Sequence, residues 1–336
     1  MYLSSKFICA NICIGFMLMS VVGYSAQGFR VESPESQGLD SKAVQSAVDE
    51  ISIETGSRFC TAIVKNGVII NETYYKGDAN TDHNIQSLSK NLAATVVGVA
   101  ITQGYFDLDD LMTDYMELPK GMTPGSTVRH VLSQVSESPD LDFPDFSYDT
   151  YGVIGSLNDL LAATTGMSPR KFAKTQLLDK LGMNNTKWGW PLSGRIQMGA
   201  GARSTCRDVA KVGQLYLNSG VWHGERILSQ SFIAEATRSN FPKANYIYGL
   251  TWWLNSAAKD EPWSSAMGKR HYGKVIKTAG SSLVVGFGFL SQIHLISRDH
   301  NAVVVTLGRT LTLDVDHPTK AADAFWPVVG KAIKSE

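Results

Sequence analysis

The sequence has 336 residues, of which 43% are hydrophobic and 18% are charged, and 31 basic residues balance 31 acidic ones. This composition is typical of a globular protein long enough to bury a large core. A formal net charge of +0 gives no electrostatic reason to expect nucleic acid or an anionic membrane surface as a partner, and both are excluded as expectations.

The N-terminus has the pattern of a secretory signal peptide. Lys6 precedes the apolar run FICANICIGFMLMSVVG, and small residues follow in GYSAQG, with cleavage expected after Ser25 or Ala26. The run is near the lower length limit of a spanning helix, so an uncleaved anchor is the alternative. We predict a signal peptide over 1–26, one domain over 27–336, a periplasmic or secreted location, and no stable membrane partner after cleavage.

Two of the four cysteines, Cys9 and Cys13, lie inside the predicted signal, so the mature chain keeps only Cys60 and Cys206. An oxidising compartment favours a disulfide between them, whereas two buried free thiols are the simpler interpretation. The sequence does not give the Cα separation that a bridge requires, so both alternatives stay open. No CxxC motif occurs, and neither cysteine has a neighbouring histidine, which argues against a thiol enzyme.

The first predicted helix follows the cap Asp40-Ser41 and ends at Gly56, with one apolar face formed by Val44, Ala47, Val48 and Ile51. Two β-rich runs joined by Asn66-Gly67 then predict a hairpin. A second pair, SQIHLIS and NAVVVTLG, flanks turn residues 298–300, and a last helix is predicted from Pro318 towards Lys334.

The middle of the chain, from about 87 to 236, is mostly helical and separates these β-rich ends. We therefore predict an α+β fold in which both ends of the chain form one antiparallel sheet flanked by helices, and the middle forms a helical lobe. A cleft is expected where the two parts meet.

The stretch NIQSLSKNLAATVVGVAITQGYF sets Ser87 and Lys90 at the head of an apolar helix. At a spacing of three residues, the lysine amine reaches back over the face that carries the hydroxyl. Serine becomes a strong nucleophile only when a neighbouring base takes its proton, and lysine does so where its surroundings lower its pKa. Since serine is also a common helix N-cap, the alternative is a purely structural Ser87.

Several stretches in order, among them SLSKNLAATVVGVAITQGYFDLDDLMTDYM, STVRHVLSQVSE, GAGARSTCRDVAKVGQLYLNSGVWHGERILS and YGLTWW, make the chain resemble the serine β-lactamase and penicillin-binding-protein superfamily. Within it, the similarity is to class C-like esterases and 6-aminohexanoate-oligomer hydrolases, over nearly the whole mature chain. The resemblance implies a β-lactamase/transpeptidase-like fold, with Ser87 as the acylated nucleophile and Lys90 as base or proton relay.

Such enzymes also use a tyrosine from the helical lobe, for which FPDFSYDTYGVIG is the candidate run. The family pattern favours Tyr148. The stretch from Tyr148 to Gly155 is about two residues short, and an alignment to a Tyr-Ser-Asn form would set Phe146-Ser147-Tyr148 on the motif, so these alternatives and Tyr151 stay open. Packing of aromatic side chains is the structural interpretation.

The resemblance also implies a strand beside the nucleophile whose backbone N–H completes an oxyanion hole with that of Ser87. Two stretches compete, Lys277 to Gly280 (KTAG) and Gly286 to Gln292 (GFGFLSQ). The second is favoured because it leads directly into QIHLIS and because Gly286 and Gly288 allow close backbone approach. A dinucleotide loop is excluded there for want of a third glycine and a following helix.

Several other residues lie outside these motifs. Trp253 is assigned to a substrate pocket, with Trp252 beside it, although one core and one surface aromatic would explain the pair equally well. His130 and the pair Arg207-Asp208 are interpreted as structural. A further departure from the family is Glu137, which stands where a glycine is usual. The seven histidines form no metal-ligand pattern, so no metal or other cofactor is expected.

The sequence therefore predicts a periplasmic or secreted serine hydrolase that acts on a small ester or amide through an acyl-enzyme, with Ser87, Lys90 and Tyr148 as catalytic residues. The backbone of Ser87, the glycines 286 and 288, and Trp253 are expected to bind substrate. The alternative is a non-catalytic penicillin-binding or cell-wall-sensing protein. It stays open because the tyrosine motif around Tyr148 and the strand motif beside the nucleophile both depart from the family pattern. The substrate and the oligomeric state are not predicted.

Overall fold

The computed structural model describes residues 28–120, 122–136, 145–148, 153–189, 193–310, 312–314 and 316–334. The predicted signal peptide, Glu137 and Tyr151 lie outside these ranges. The α-helices in the described ranges are α1 Ser41–Thr55, α2 Leu88–Thr102, α3 Val128–Leu132, α4 Leu157–Thr165, α5 Pro169–Ala173, α6 Cys206–Leu217, α7 Gln230–Ala236 and α8 His317–Ala332.

The strands are β1 Arg30–Val31, β2 Arg58–Lys65, β3 Val68–Tyr74, β4 His83–Asn84, β5 Val135–Ser136, β6 Asp145–Phe146, β7 Lys187–Trp188, β8 Ala202–Ser204, β9 Val221–Trp222, β10 Glu225–Arg226, β11 Trp253–Leu254, β12 Pro262–Ser264, β13 Arg270–Tyr272, β14 Val284–Gly288, β15 Gln292–Ser297 and β16 Ala302–Gly308. Seven of them form the main sheet, in the order β1-β3-β2-β16-β15-β14-β11. The smaller sheets are β4-β8-β7, β5-β6, β9-β10 and β12-β13.

The main sheet joins the two ends of the chain, as the sequence predicted, because β16 pairs with β2. All its pairings are antiparallel except that of β1, which runs parallel to β3, so the expectation of a wholly antiparallel sheet is wrong at this edge. The parallel pairing is possible because α1 and β2 lie between β1 and β3 in the chain and provide the crossover that parallel strands require.

The sheet is covered on both faces, since every residue of β15 and β16 is buried. A Cβ at Gly213 in α6 would meet His294 on one face, and a Cβ at Gly286, the partner of His294 in β14, would meet Leu88 in α2. Helices α2 and α6 therefore share this face. Helices α1 and α8 pack against each other and against strands of the sheet, and they cover the opposite face.

The predicted helices and hairpins of the terminal parts are confirmed. Asp40 caps α1 through a hydrogen bond to the Lys42 N–H, and α1 ends at Gly56. Asn66-Gly67 joins β2 to β3, residues 298–300 lie in the turn between β15 and β16, and the last helix is α8.

The two mature cysteines form a disulfide. Cys60 in β2 and Cys206, the first residue of α6, are bonded with a Cα separation of 6.0 Å, and both side chains are buried. The bridge fixes the start of α6 to the sheet, so the alternative of two free thiols is wrong.

Candidate active site

Ser87 lies directly before α2 at the mouth of a cavity, and its side chain does not act as a helix cap. It makes no capping hydrogen bond to the first turn of α2. Instead, its Oγ accepts a hydrogen bond from Lys90 Nζ at 3.4 Å, and its side chain is hydrogen-bonded to Tyr148. The interpretation of Ser87 as a structural N-cap is therefore contradicted.

The turn that presents Ser87 is held from several sides. Gln86 has a φ of 51°, a left-handed conformation that costs a residue other than glycine about 1–3 kcal/mol. Its N–H donates to Asn84 Oδ1 at 2.8 Å, and its carbonyl accepts from Ser89 Oγ at 2.6 Å. Ser89 Oγ also accepts a hydrogen bond from the Ala202 N–H in β8, at 3.0 Å. The strain at Gln86 is thus stabilised by β8 and by the first turn of α2.

Lys90 is buried, with only 1% of its surface exposed, and its amine is directed by contacts on several sides. Besides Ser87, Nζ donates to the carbonyl of Gly199 at 3.0 Å. It also lies 4.1 Å from the centre of the Tyr148 ring, within the range of a cation–π interaction. These contacts fix the amine beside the serine hydroxyl.

Tyr148 belongs to a cluster of aromatic rings that also contains Trp253 and Tyr248. Its ring stacks on Trp253 with centroids 6.0 Å apart and meets Tyr248 edge-on at 6.3 Å. Burial raises the pKa of Tyr148 to about 12, against a smaller opposing effect of its hydrogen bond with Ser87. The phenol therefore carries its proton at neutral pH. The ring of Tyr148 therefore takes part in aromatic packing, and its hydroxyl is directed to Ser87.

A cavity of about 240 Å³ opens beside Ser87 and Tyr148. Its walls are mainly apolar and include Trp253, Trp263, Val275, Phe287 and Pro318. Two carboxylates also line it, and each is paired with a lysine: Asp316 with Lys269 at 3.0 Å, and Asp314 with Lys320 at 2.6 Å. The hydrogen bond from Lys320 lowers the pKa of Asp314 below its usual value. The space accepts an uncharged, largely apolar group next to the serine hydroxyl.

Strand β14 lies against the turn that carries Ser87. A Cβ at Gly286 would stand 2.8 Å from Leu88 Cδ2, and one at Gly288 would stand 2.9 Å from the carbonyl oxygen of Ile85. Real Cβ atoms do not approach this closely, so the two glycines permit the contact. The competing stretch, Lys277 to Gly280, forms no strand and is not part of the cavity wall.

Of the other residues singled out in the sequence, one lines the cavity and the others have structural positions. Trp253 lines the cavity, whereas Trp252 is fully buried in the core. His130 is half-buried and closes a capping box with Thr127 at the start of α3, which confirms a structural role. Asp208, in the first turn of α6, is buried beside Lys211 at 2.9 Å, again a structural role.

Arg207 pairs with Glu72 of β3, which places it outside the cavity and confirms the structural interpretation. Within the described parts of the chain, no group of three or more His, Cys, Asp or Glu side chains is arranged to hold a metal ion. The helices in those same parts include none with the length and apolar character needed to cross a membrane.

Several residues of the site were not predicted from the sequence. Gly199 contributes only its carbonyl, from a loop 109 residues after Lys90, and no motif marks it. Trp263 and the residues around it come from the β12–β13 hairpin, and Asp314 and Asp316 come from the segment before α8. Trp263 could have been identified as a candidate from the sequence, because it is a tryptophan in a short hairpin rich in exposed polar residues.

Residues 42–321 match the Beta-lactamase family. The chain belongs to the beta-lactamase family. Its membership agrees with the resemblance carried by the sequence motifs, and the β-lactamase/transpeptidase-like fold is confirmed by solved structures. The chain is similar to a class C beta-lactamase from Rhodobacter sphaeroides, with a TM-score of 0.60 and 15% identity over 86% of this chain and 100% of the other.

Two further similarities concern another activity of this family. A 6-aminohexanoate-dimer hydrolase of Paenarthrobacter ureafaciens is 26% identical over an alignment of 254 residues, and the match covers 57% of this chain and 62% of that protein. The chain thus spans less than two thirds of this relative. A Bacillus anthracis structure with the proposed assignment of 6-aminohexanoate-dimer hydrolase has a TM-score of 0.65 and 17% identity, over 90% of this chain and 87% of the other. Together with the family match, they show that the chain is similar to 6-aminohexanoate-dimer hydrolases within the beta-lactamase family.

Proposed function

We propose that the protein is a serine hydrolase that forms an acyl-enzyme on Ser87 and then hydrolyses it. The observation that carries the proposal is the position of the Ser87 hydroxyl, which is bonded to both Lys90 and Tyr148 at the mouth of an apolar cavity. A serine freed from capping and in contact with a buried amine has the arrangement of an activated nucleophile.

The two neighbours of Ser87 have different roles in proton transfer. Because burial raises the pKa of Tyr148 to about 12, the phenol keeps its proton at neutral pH and is a poor resident base. We therefore assign the role of base to Lys90, which in its neutral form accepts the serine proton as Ser87 attacks the carbonyl carbon. Tyr148, bonded to Ser87, passes a proton to the leaving group and takes its replacement from Lys90. Water then attacks the acyl-enzyme by the reverse transfers.

The negative charge on the substrate oxygen is held by backbone N–H groups of Ser87 and of β14. The carbonyl of Leu283 accepts a hydrogen bond from the Asn255 N–H, on the β11 side of the strand. Backbone groups of successive residues alternate in direction along a strand, so residues 283, 285 and 287 face the same way. The Phe287 N–H therefore also points to the β11 side. Val285 pairs with Trp253, the first residue of β11, and Phe287 lies beyond that end. We assign the second oxyanion donor to Phe287, with Gly286 and Gly288 allowing its approach.

The substrate class that fits is an ester or amide with an uncharged acyl group. The aromatic and aliphatic walls of the cavity favour such a group, and the lysine partners of Asp314 and Asp316 offset their charges. The Paenarthrobacter ureafaciens relative is named for a dimer of 6-aminohexanoate, in which an amide joins two linear chains. This name supports the amide bond of the proposed class, whereas the ammonium group that ends the acyl half of that dimer lies outside the class.

Labelling with a fluorophosphonate probe, followed by intact mass, tests the mechanism. We expect one adduct on the wild type, none on Ser87→Ala, and turnover of p-nitrophenyl acetate that disappears with the same substitution. An adduct without turnover of any ester or amide would favour the non-catalytic penicillin-binding alternative. No adduct at any probe concentration would overturn the proposal.

A periplasmic or secreted location is part of the proposal. The N-terminal pattern supports it, and so does the disulfide between Cys60 and Cys206, because disulfides form and persist in oxidising compartments. Fractionation of cells that express the full chain, with N-terminal sequencing of the product, tests both export and cleavage after Ser25 or Ala26. A reduced protein in the cytoplasm would contradict this part.

A further inference from the structure

Three exposed apolar residues from separate segments lie in the cavity wall or next to a residue of it. Met267 is 69% exposed, Phe289 is 43% exposed and Leu313 is 76% exposed. Met267 and Phe289 line the cavity themselves, and Leu313 directly precedes Asp314, which also lines it. We call these three residues the apolar rim. In the described parts of the chain, eight large hydrophobic side chains are exposed, and three of them belong to this rim.

Phe289 is held at the rim by a strained turn. Leu290 and Ser291 both have a φ of 64°, which costs about 1–3 kcal/mol for each residue and persists only where the surroundings determine it. Gln292 Nε2 donates to the Phe289 carbonyl at 3.1 Å, and the Arg58 guanidinium donates to the Ser291 carbonyl at 2.6 Å. These two buried side chains thus hold the backbone in a turn that leaves the Phe289 ring exposed.

Met267 lies at the tip of another tight turn. The Ser265 N–H donates to the Lys269 carbonyl at 2.9 Å, and the Gly268 N–H donates to the Ser265 carbonyl at 2.9 Å. The ion pair between Lys269 and Asp316 ties this turn to the segment that carries Leu313. The backbone of the rim is therefore ordered before any ligand binds, which reduces the entropy lost on binding.

The size of the cavity indicates what the rim contacts. Its volume of about 240 Å³ is below the range of roughly 300–1,000 Å³ that is usual for pockets of drug-sized ligands. At about 30 Å³ for each water, it corresponds to roughly eight water molecules. A short acyl group fits inside, and a longer chain must leave over the rim.

We propose that the apolar rim binds the part of an extended apolar substrate that projects from the cavity, so that the enzyme prefers long-chain esters and amides to short ones. The inference rests on the proposed hydrolase function. Rim and cavity form one continuous surface, and the occupant is therefore the substrate itself rather than a second protein.

The test compares kcat/KM for p-nitrophenyl dodecanoate, whose acyl chain is longer than the cavity can hold, with kcat/KM for p-nitrophenyl acetate. We expect the dodecanoate-to-acetate ratio of the wild type to exceed one, and to fall roughly tenfold in Met267→Ser/Phe289→Ser/Leu313→Ser, in keeping with the loss of a few apolar contacts. A matched control, Val31→Ser/Ile53→Ser/Leu111→Ser, replaces three equally exposed apolar residues that do not line the cavity, and its ratio stays that of the wild type.

The outcomes separate this inference from the function on which it rests. Wild-type turnover of acetate with a ratio at or below one, or a ratio that the rim variant leaves unchanged, overturns the rim and leaves the hydrolase intact. No turnover of either ester by the wild type overturns both. If the triple variant does not fold, Met267→Ser, which alters the more exposed of the two rim residues that line the cavity, is measured in the same way.

Discussion

Lys90 Nζ lies over the ring of Tyr148, 4.1 Å from its centre, while the hydroxyl of the same tyrosine is bonded to Ser87. One aromatic residue thus positions the proposed base with its ring and contacts the proposed nucleophile with its oxygen. The two functions can be separated by substitution, because phenylalanine keeps the ring and removes the hydroxyl.

Tyr148→Phe is expected to lower kcat for ester hydrolysis by about 10²–10⁴-fold, the usual contribution of a proton-transfer group, with little change in KM or thermal stability. Steady-state kinetics and a thermal melt measure this. Tyr216→Phe is the matched control: Tyr216 is also buried, but its hydroxyl contacts Thr95 at 3.4 Å, and its loss should leave kcat within about twofold. Equal activity of the two variants would exclude a catalytic hydroxyl at Tyr148.

Two buried lysines allow a second comparison. Lys90→Met keeps the side-chain volume and removes the amine, so acylation by a fluorophosphonate should slow by about 10³-fold or more while the fold persists. Lys211→Met leaves the buried carboxylate of Asp208 without its ion-pair partner, and should cost about 3–5 kcal/mol of stability. In the folded fraction of that variant, the acylation rate should match the wild type. Rapid labelling of Lys90→Met would remove Lys90 from the mechanism.

Gly288→Ala tests the close packing of β14 on the nucleophile turn. The new Cβ would stand 2.9 Å from the Ile85 carbonyl, a backbone atom that moves only with the turn itself. We expect kcat/KM to fall at least tenfold, along with roughly 1–3 kcal/mol of stability from overpacking. Gly155→Ala introduces a Cβ with no atom within 4 Å and serves as the control for stability and activity. Wild-type kcat/KM in Gly288→Ala would show that the position of β14 does not matter for the reaction.

His294 should make the protein sensitive to acid. Burial lowers its pKa to about 3, from an ordinary value of 6.5. Between these values the unfolded chain binds a proton that the folded protein excludes, so stability falls as pH decreases from 6.5, by about 1.4 kcal/mol for each unit. His294→Leu should flatten this dependence in urea unfolding followed from pH 7 to pH 4. Substitution of the exposed His223 by Gln should leave this pH dependence of stability unchanged. If the stability of His294→Leu depends on pH as steeply as that of the wild type, the assignment is contradicted.

The disulfide should stabilise the protein strongly because it closes a loop of 146 residues. Replacing Cys60 and Cys206 together by Ala is expected to cost about 2–5 kcal/mol, measured by urea unfolding of the oxidised protein and the variant. Added reductant should lower the stability of the wild type under unfolding conditions and leave that of the variant unchanged. Equal midpoints for the two oxidised proteins would show that the bridge contributes nothing.

The secondary structure of the chain ends followed from local signals. The Asp40 cap with Gly56 set the bounds of α1, and Asn66-Gly67 joined β2 to β3, since both features act within a few residues. The parallel edge strand β1 was not predictable, because two residues carry no periodicity and their pairing with β3 depends on a crossover. The bridge from Cys60 to Cys206 was undecided for the same reason, as it depends on a separation in space.

At the site, the sequence by itself determined that Ser87 and Lys90 lie together, because a helix brings residues three positions apart to one face. It also supplied Gly286 and Gly288, whose missing side chains are a local property. Only the tertiary structure decided that the Ser87 hydroxyl is not a cap, that the Gly199 carbonyl fixes Lys90, and that the hairpin around Trp263 and the segment before α8 close the cavity. Those contacts join residues far apart in the chain, and the free energy that selects them comes from tertiary packing rather than from any local pattern.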